Sequence, residues 1–308
     1  MFHYVARRLL LAIPVLLGVS IAVFSMMHLV PGDPALAMLR GQPQVTQQDI
    51  DRVRTQLGLN DPVPVQYVKY LNRVLHGDFG RSIQSKRPVT RDIFEQAPST
   101  IQLAVTAMVF AVAFGVILGI ISALRRNTWV DTLATLTSLF GVSMPSFWFG
   151  LMLIYLFSLK LGWFPAVGGN GFKGLVLPAV ALGMDFSAIT ARLVRNNLIE
   201  VLVADYVRTA RAKGLSERAV VYRHALKNAL IPAITIIGLQ FGTLLGGAVV
   251  IETVFARQGI GRLLVTAILG KDFPMVQGIV LMAACVYVVT NLLVDLSYGL
   301  LDPRIRLS

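Results

Sequence analysis

Apolar residues along this chain come in long runs separated by short polar stretches. A helix needs about 20 consecutive, mostly apolar residues to cross the hydrocarbon core of a bilayer. Six stretches reach that length: 9–30, 101–124, 132–158, 175–193, 230–251 and 276–298. The pattern predicts an all-α polytopic membrane protein with six transmembrane helices. The polar stretches divide it into a first helix with its N-terminal tail (1–30), an extramembrane segment (31–100) and a five-helix core (101–308). Within 31–100, Pro31, Pro34, Pro43, Pro62 and Pro64 act as breakers. Val65, Val68, Leu71 and Leu75 recur there at helical spacing, which predicts a short amphipathic helix. Arg7 and Arg8 precede the first run as they would in a signal peptide. The run is too long for one, and no small-x-small cleavage site follows, so it reads as a retained span.

Composition supports the membrane assignment. Hydrophobic residues make up 55% of the 308 and charged residues only 14%, against about a quarter charged in soluble proteins. A net charge of +12 would suggest nucleic acid in a soluble chain, but here the cations sit at the ends of apolar runs, and no nucleic-acid partner is expected. Their distribution sets the orientation, because Lys and Arg near span ends stay in the cytoplasm. With the N-terminus inside, Arg7, Arg8, Arg125, Arg126, Arg304, Arg306 and the eight cations from Arg192 to Lys227 are cytoplasmic, fourteen in all. The short outside loops hold five: Lys160, Lys173, Arg257, Arg262 and Lys271. Both termini are then cytoplasmic and the 31–100 segment lies outside.

The chemistry of catalysis is not legible. Gly168, Gly169 and Gly171 are not followed by Lys-Ser or Lys-Thr as in a phosphate loop and read as turn residues. His3, His28, His76 and His224 are scattered without a second ligand at helical spacing, and the single cysteine, Cys285, excludes an intrachain disulfide. No cofactor or metal is expected, and any energy source must lie on another subunit or in an ion gradient. Some residues inside the apolar runs carry information. Gly238, Gly242 and Gly246 repeat every four residues in the fifth run, and Gly115 and Gly119 do so in the second. Such spacing serves close helix packing, or a moving interface or pore lining. Pro145, Pro178 and Pro232 can kink their helices. Asp185, near the middle of the fourth run, must find a partner, a proton, or the polar wall of a path. Asn291 and Asp295 lie one turn apart near the end of the sixth run, where pairing with a loop cation is expected.

The most specific stretch runs from Asp205 to Ser216 and leads into Leu230. Val203, Tyr206, Val207 and Ala210 form an apolar helix face that needs a partner, while Arg208, Arg211 and Lys213 project elsewhere. Gly214 suits a left-handed cap ending that helix, and a second helix runs from about Glu217 into the fifth span. The product is a helix-turn-helix standing off the membrane; a basic loop touching anionic lipid is the other reading. The segment resembles the cytoplasmic "EAA" loop of binding-protein-dependent ABC importer permeases, within 192–227. It matches the peptide branch of that family at Asp205, Tyr206, Arg208, Thr209, Ala210, Arg211, Ala212, Lys213 and Gly214. Residues 28–34, 76–82 and 291–306 look like further signatures of the first permease of the dipeptide, oligopeptide, glutathione and nickel group. One departure is at Arg257-Gln258-Gly259, where the tryptophan and proline of the family's usual Trp-Pro-Gly before Gly-Arg are lacking.

The resemblance implies the type I ABC importer fold in a bacterial inner membrane. It implies a homologous second permease subunit, one or two kinds of ABC ATPase, and an extracytoplasmic substrate-binding protein as partners, with lipid around the spans. It implies no enzyme activity in this chain, ATPase coupling through 205–214, and alternating access for di- or oligopeptides. Asp185, Gly238, Gly242 and Gly246 are candidate translocation-path residues. A secondary transporter would instead show inverted repeats and broken helices, and a membrane-embedded enzyme would need catalytic motifs absent here.

Overall fold

Long apolar runs form helices because a lipid surrounding leaves each backbone group to be satisfied within its own segment. The computed structural model describes residues 2–29, 34–39, 45–169 and 171–301, and regular structure among these residues is helical throughout. In chain order the helices are α1 (Phe2–Leu29), α2 (Pro34–Leu39), α3 (Gln47–Leu57), α4 (Val63–Leu75), α5 (Val89–Leu124), α6 (Trp129–Ser143) and α7 (Ser146–Leu153). A π-helical turn, Ile154–Lys160, extends α7. There follow α8 (Lys173–Leu202), α9 (Asp205–Ala212), α10 (Glu217–Ala219), a second π-helical turn (Val220–Ala225), α11 (Leu226–Val254), α12 (Ile260–Leu269) and α13 (Phe273–Leu301). The expected signatures at 30–33 and 302–306, the breaker Pro43, Asn170 and the side chains of His3 and Asp295 lie outside the described residues.

Five helices are long and apolar enough to cross a membrane, and a sixth crossing results if α6 and α7 with its π turn count as one span. That third span is broken, where a continuous helix over 132–158 was expected. Its halves meet at 110°. The break sits at Met144, which is extended at φ −91° and ψ 130° ahead of Pro145. Proline forces its predecessor out of the helical region and supplies no N–H of its own. Pro178 and Pro232, by contrast, lie inside α8 and α11 without ending them.

The chain divides into two compact units. The first takes its residues from both ends of the chain, within Met1–Pro98 and Gly259–Leu293. Its helix α3 starts on a capping box, with Thr46 and Asp49 each satisfying the other's backbone N–H, and stops at Gly58 in the left-handed region. Met27, Ala35, Leu39, Val53, Ile83 and Phe273 bury one another. Beside them, Asp272 clamps the 82–84 turn. One carboxylate oxygen accepts from the Ser82 hydroxyl (2.5 Å) and from the backbone N–H of Ile83 (3.0 Å) and Gln84 (3.2 Å). The other accepts from the N–H of Met275, in the first turn of α13. The predicted amphipathic helix exists as α4, but its apolar side is not the buried one. Gln66 and Tyr70 are buried, whereas Val65, Val68 and Leu75 are exposed.

The second unit, Ser99–Gln258 with Val294–Leu301, is organised on α8, which packs on α6, α7 and α11. Small residues let the helices approach. A Cβ at Gly115 would fall 2.6 Å from the Ser187 carbonyl oxygen, one at Gly119 2.7 Å from that of Ala191, and one at Gly183 2.5 Å from that of Ala107. The second-run glycines therefore serve close packing of α5 on α8. Where α5, α6 and α8 meet, Arg195 on α8 donates from Nε and Nη2 to the two oxygens of Asp131 on α6, both at 2.8 Å. The Ser122 hydroxyl (2.5 Å) and the backbone N–H of Asn127 (3.0 Å) complete that carboxylate's shell.

Candidate coupling surface and translocation path

The polar segment after α8 folds as an anchored helix-turn-helix. Helix α9 begins after Ala204, whose extended backbone ends the preceding helix, and it turns its two small apolar residues inward. Val207 and Ala210 are buried with Ala123, Leu198, Val220, Ala225 and Ala229. This corrects the expected apolar stripe. Val203 belongs to the end of α8 rather than to α9, and both Val203 and Tyr206 are exposed. The half of the stripe expected to need an outside partner is already covered by the chain's own helices.

Asp205, Tyr206, Arg208, Thr209, Arg211, Ala212, Lys213 and Gly214 remain exposed on the same small body. The turn is held by side chains. Arg211 donates to both oxygens of Glu217 (3.0 and 2.7 Å) and to the carbonyl of Leu202 (3.1 Å), so one guanidinium ties the ends of α8 and α9 to the start of α10. The Glu217 carboxylate holds the Arg211 guanidinium above its ordinary range, and Arg211 holds Glu217 below the usual carboxylate range. A lowered carboxylate contributes fully above its unfolded value and loses that contribution as pH falls through the lowered one. The pair is therefore intact near neutral pH and opens only in acid. Both partners are largely exposed, so its worth is below about 1 kcal/mol. Asn228 at the start of α11 donates to the Tyr206 hydroxyl (2.9 Å). Gly214 takes φ +79°, and its N–H donates to the Arg211 carbonyl at 2.9 Å. The left-handed end expected at this position is present.

The residues expected along a path are less uniform. Asp185 is half-buried in α8 and makes no hydrogen bond or ion pair among the described residues. Asn197 donates to the Ala229 carbonyl, and Leu182 lies against Gly247, so α8 and α11 run antiparallel. That register brings Asp185 to within about one turn of the level of Gln240. The Gln240 side chain, missed in the sequence reading, is 7% exposed, and neither polar atom of its amide has a partner. As a lone amide in an apolar run it was visible; its burial was not. Gly238, Gly242 and Gly246 do not share one environment. Gly238 is half-buried, Gly242 buried and Gly246 exposed with nothing within 4 Å of a Cβ. Four residues advance a helix by about 400°, so the stripe drifts about 40° per step and turns off its face.

Residues 115–307 match the family described as the binding-protein-dependent transport system inner membrane component, and residues 1–104 match the N-terminal region of such membrane components. The chain belongs to this permease family. It is the permease subunit of an ABC importer and a multi-pass inner-membrane protein. Among its relatives, the glutathione transport system permease protein of Salmonella paratyphi A is 45% identical over 306 residues, covering 99% of each chain. The corresponding Escherichia coli (strain K12) protein is 44% identical over 306 residues with the same coverage. The dipeptide transport system permease protein of Alkalihalophilus pseudofirmus is 43% identical over 334 residues, covering 99% of this permease and all of that protein. Among solved structures, that of an amino acid ABC transporter with histidines aligns at a TM-score of 0.52 and 16% identity over 70% of this permease and 94% of that chain. This likeness gives the fold.

Proposed function

We propose that this permease imports di- and oligopeptides, glutathione among them, together with a homologous second permease, ABC ATPases and an extracytoplasmic binding protein. ATP hydrolysis lies on the ATPases, and both termini of the permease face the cytoplasm. The reading is carried by full-length identity of 43–45% to permeases named for glutathione and dipeptide transport. The exposed, braced turn at 205–214 supports a role in docking the ATPases. A helix pair already sealed on its apolar side offers charge and shape, so its contacts with an ATPase are polar, through Arg208, Lys213 and Asp205. Arg208→Glu should leave membrane insertion normal and reduce ATPase co-purification and peptide-driven uptake several-fold. Normal co-purification and uptake would remove Arg208 from the docking surface.

Asp185 supports a polar wall on the path, because it is half-buried in a span with no partner of its own. Gln240, buried with both amide atoms unpartnered, belongs to the same level. Asp185→Asn should change the ratio of uptake between peptides of opposite charge in proteoliposomes while complex yield stays the same. A lower yield with an unchanged ratio would mean that Asp185 is structural.

A further inference from the structure

Helix α4 carries a face that the chain does not cover, and its position says what does. The helix crosses the first span. The Tyr67 hydroxyl is 2.8 Å from that of Ser20, and the Phe24 ring packs on Tyr67 and Tyr70 with centroids 5.4 and 5.7 Å apart. The Gln66 amide oxygen meets the His28 imidazole at 3.1 Å. Ser20 and Phe24 are not at the water end of α1. The span runs Ala6–Leu29, and at about 1.5 Å per residue Ser20 lies roughly 14 Å in from Leu29. Such a helix exceeds the ~30 Å hydrocarbon layer by only a few Å, so Ser20 and Phe24 lie inside it. The tyrosines of α4 reach down to that depth, which puts the helix at the boundary between headgroups and acyl chains.

Its sequence divides around the axis into three sectors, taking about 100° per residue. Tyr67, Tyr70 and Val74 face the first span. Pro64, Val68, Leu71 and Leu75 fall together in the next sector, and Val68 is 64% and Leu75 76% exposed. Lys69, Asn72 and Arg73 occupy the third, which the exposed Val65 shares, and with Asp61 and Gln66 these three polar residues line an open polar cleft of about 510 Å³. An apolar side continuous with a span, a charged side opposite, and aromatic residues between are the features of a helix lying in a membrane interface. On α1, Leu17 and Ile21 are likewise uncovered, so the lipid-facing surface continues from the span to the helix.

We propose that α4 is an interfacial helix, with Val68, Leu71 and Leu75 among the acyl chains of the adjacent leaflet and Lys69, Asn72 and Arg73 in water. The occupant of the apolar face is lipid. The inference does not depend on which side of the membrane the segment occupies, because the end of α1 and the helix lie on the same side.

The test uses the full chain in a Cys285→Ala background, carrying one cysteine labelled with bimane at Val68→Cys, Leu75→Cys, Asn72→Cys or, as a span reference, Ile21→Cys. The label is read in phosphatidylcholine vesicles with and without brominated acyl chains, and against aqueous iodide. Labels at 68 and 75 should lose as large a fraction of their emission to brominated lipid as the label at 21. The label at 72 should respond to iodide alone. Val68 and Leu75 report independently, so one variant that fails to insert leaves the other decisive. Iodide quenching without quenching by brominated lipid at 68 and 75 would overturn the proposal in favour of an aqueous face. Shielding from both quenchers would overturn it in favour of a protein partner.

Discussion

Gly214 decides the direction in which α9 points. At φ +79° a residue with a Cβ pays about 1 kcal/mol or more, and a β-branched one most. The site is sterically open, with nothing within 4 Å of a Cβ, so the cost lies in the backbone alone and not in a clash. Two substitutions separate the effects. Gly214→Asn, which tolerates the left-handed region, should keep ATPase co-purification near wild type. Gly214→Val should insert normally and lose much of it, together with substrate-stimulated ATP hydrolysis. Full docking with valine would count against a shape-dependent turn. At this scale the sequence was informative, since a glycine after a helical basic stretch signals its conformation locally. Val207 and Ala210 were harder to read. Their apolar face was visible, but whether it meets α8 and α11 or a separate protein depends on tertiary packing that periodicity does not encode.

Among elements, the Asp131–Arg195 pair holds α6 to α8 just ahead of the 205–214 turn. Asp131 is 6% exposed. Its removal would leave a guanidinium that is largely covered and without its bidentate partner. Asp131→Ala should cost about 3 kcal/mol, read as a lowered unfolding midpoint in detergent. The double change Asp131→Leu with Arg195→Met should recover most of that loss, because it removes both charges together. Equal loss in both variants would mean that the pair is not the source of the stability. The pair was not legible in the sequence. Arg195 looked like one more cytoplasmic cation because α8 extends to Leu202, past the end of its apolar run, and the partners are 64 residues apart. The long spans were legible from the apolar runs, whereas the shorter helices α2, α3 and α12 were not. The break at Met144 was not, since Pro145, Pro178 and Pro232 look alike as residues, and only the first has an extended predecessor that ends its helix. Broken helices also occur in secondary transporters, and the family match, not the break, separates the two.

For the whole molecule, the charge distribution sets the expected orientation. Reporter fusions at Arg126 and Gly214 should report cytoplasm, and a fusion at Gly168 should report the outside. An outside signal at Gly214 would overturn both the topology and the coupling role. A fusion at Gly41 tests the 31–100 segment in the same way. The long apolar spans were readable because span length is set by the bilayer, five of them continuous and a sixth if α6 and α7 count as one. The division into units was not. The unit that holds Met1–Pro98 also takes in Gly259–Leu293, and no compositional shift announces that return.

The Asp272 clamp carries a consequence for the order in which the chain is made. Ser82 and Asp272 are 190 residues apart, and a ribosome adding about 5–20 residues per second takes roughly 10–40 s to cover that distance. Through that interval the Ser82 hydroxyl and the amides of Ile83 and Gln84 have no carboxylate, and the nascent 82–84 turn is left to water. Closing it must wait until Asp272, just ahead of α13, has been added, so a chain that stops short of Asp272 keeps its 82–84 turn unsealed. An early segment thereby records whether translation reached Asp272.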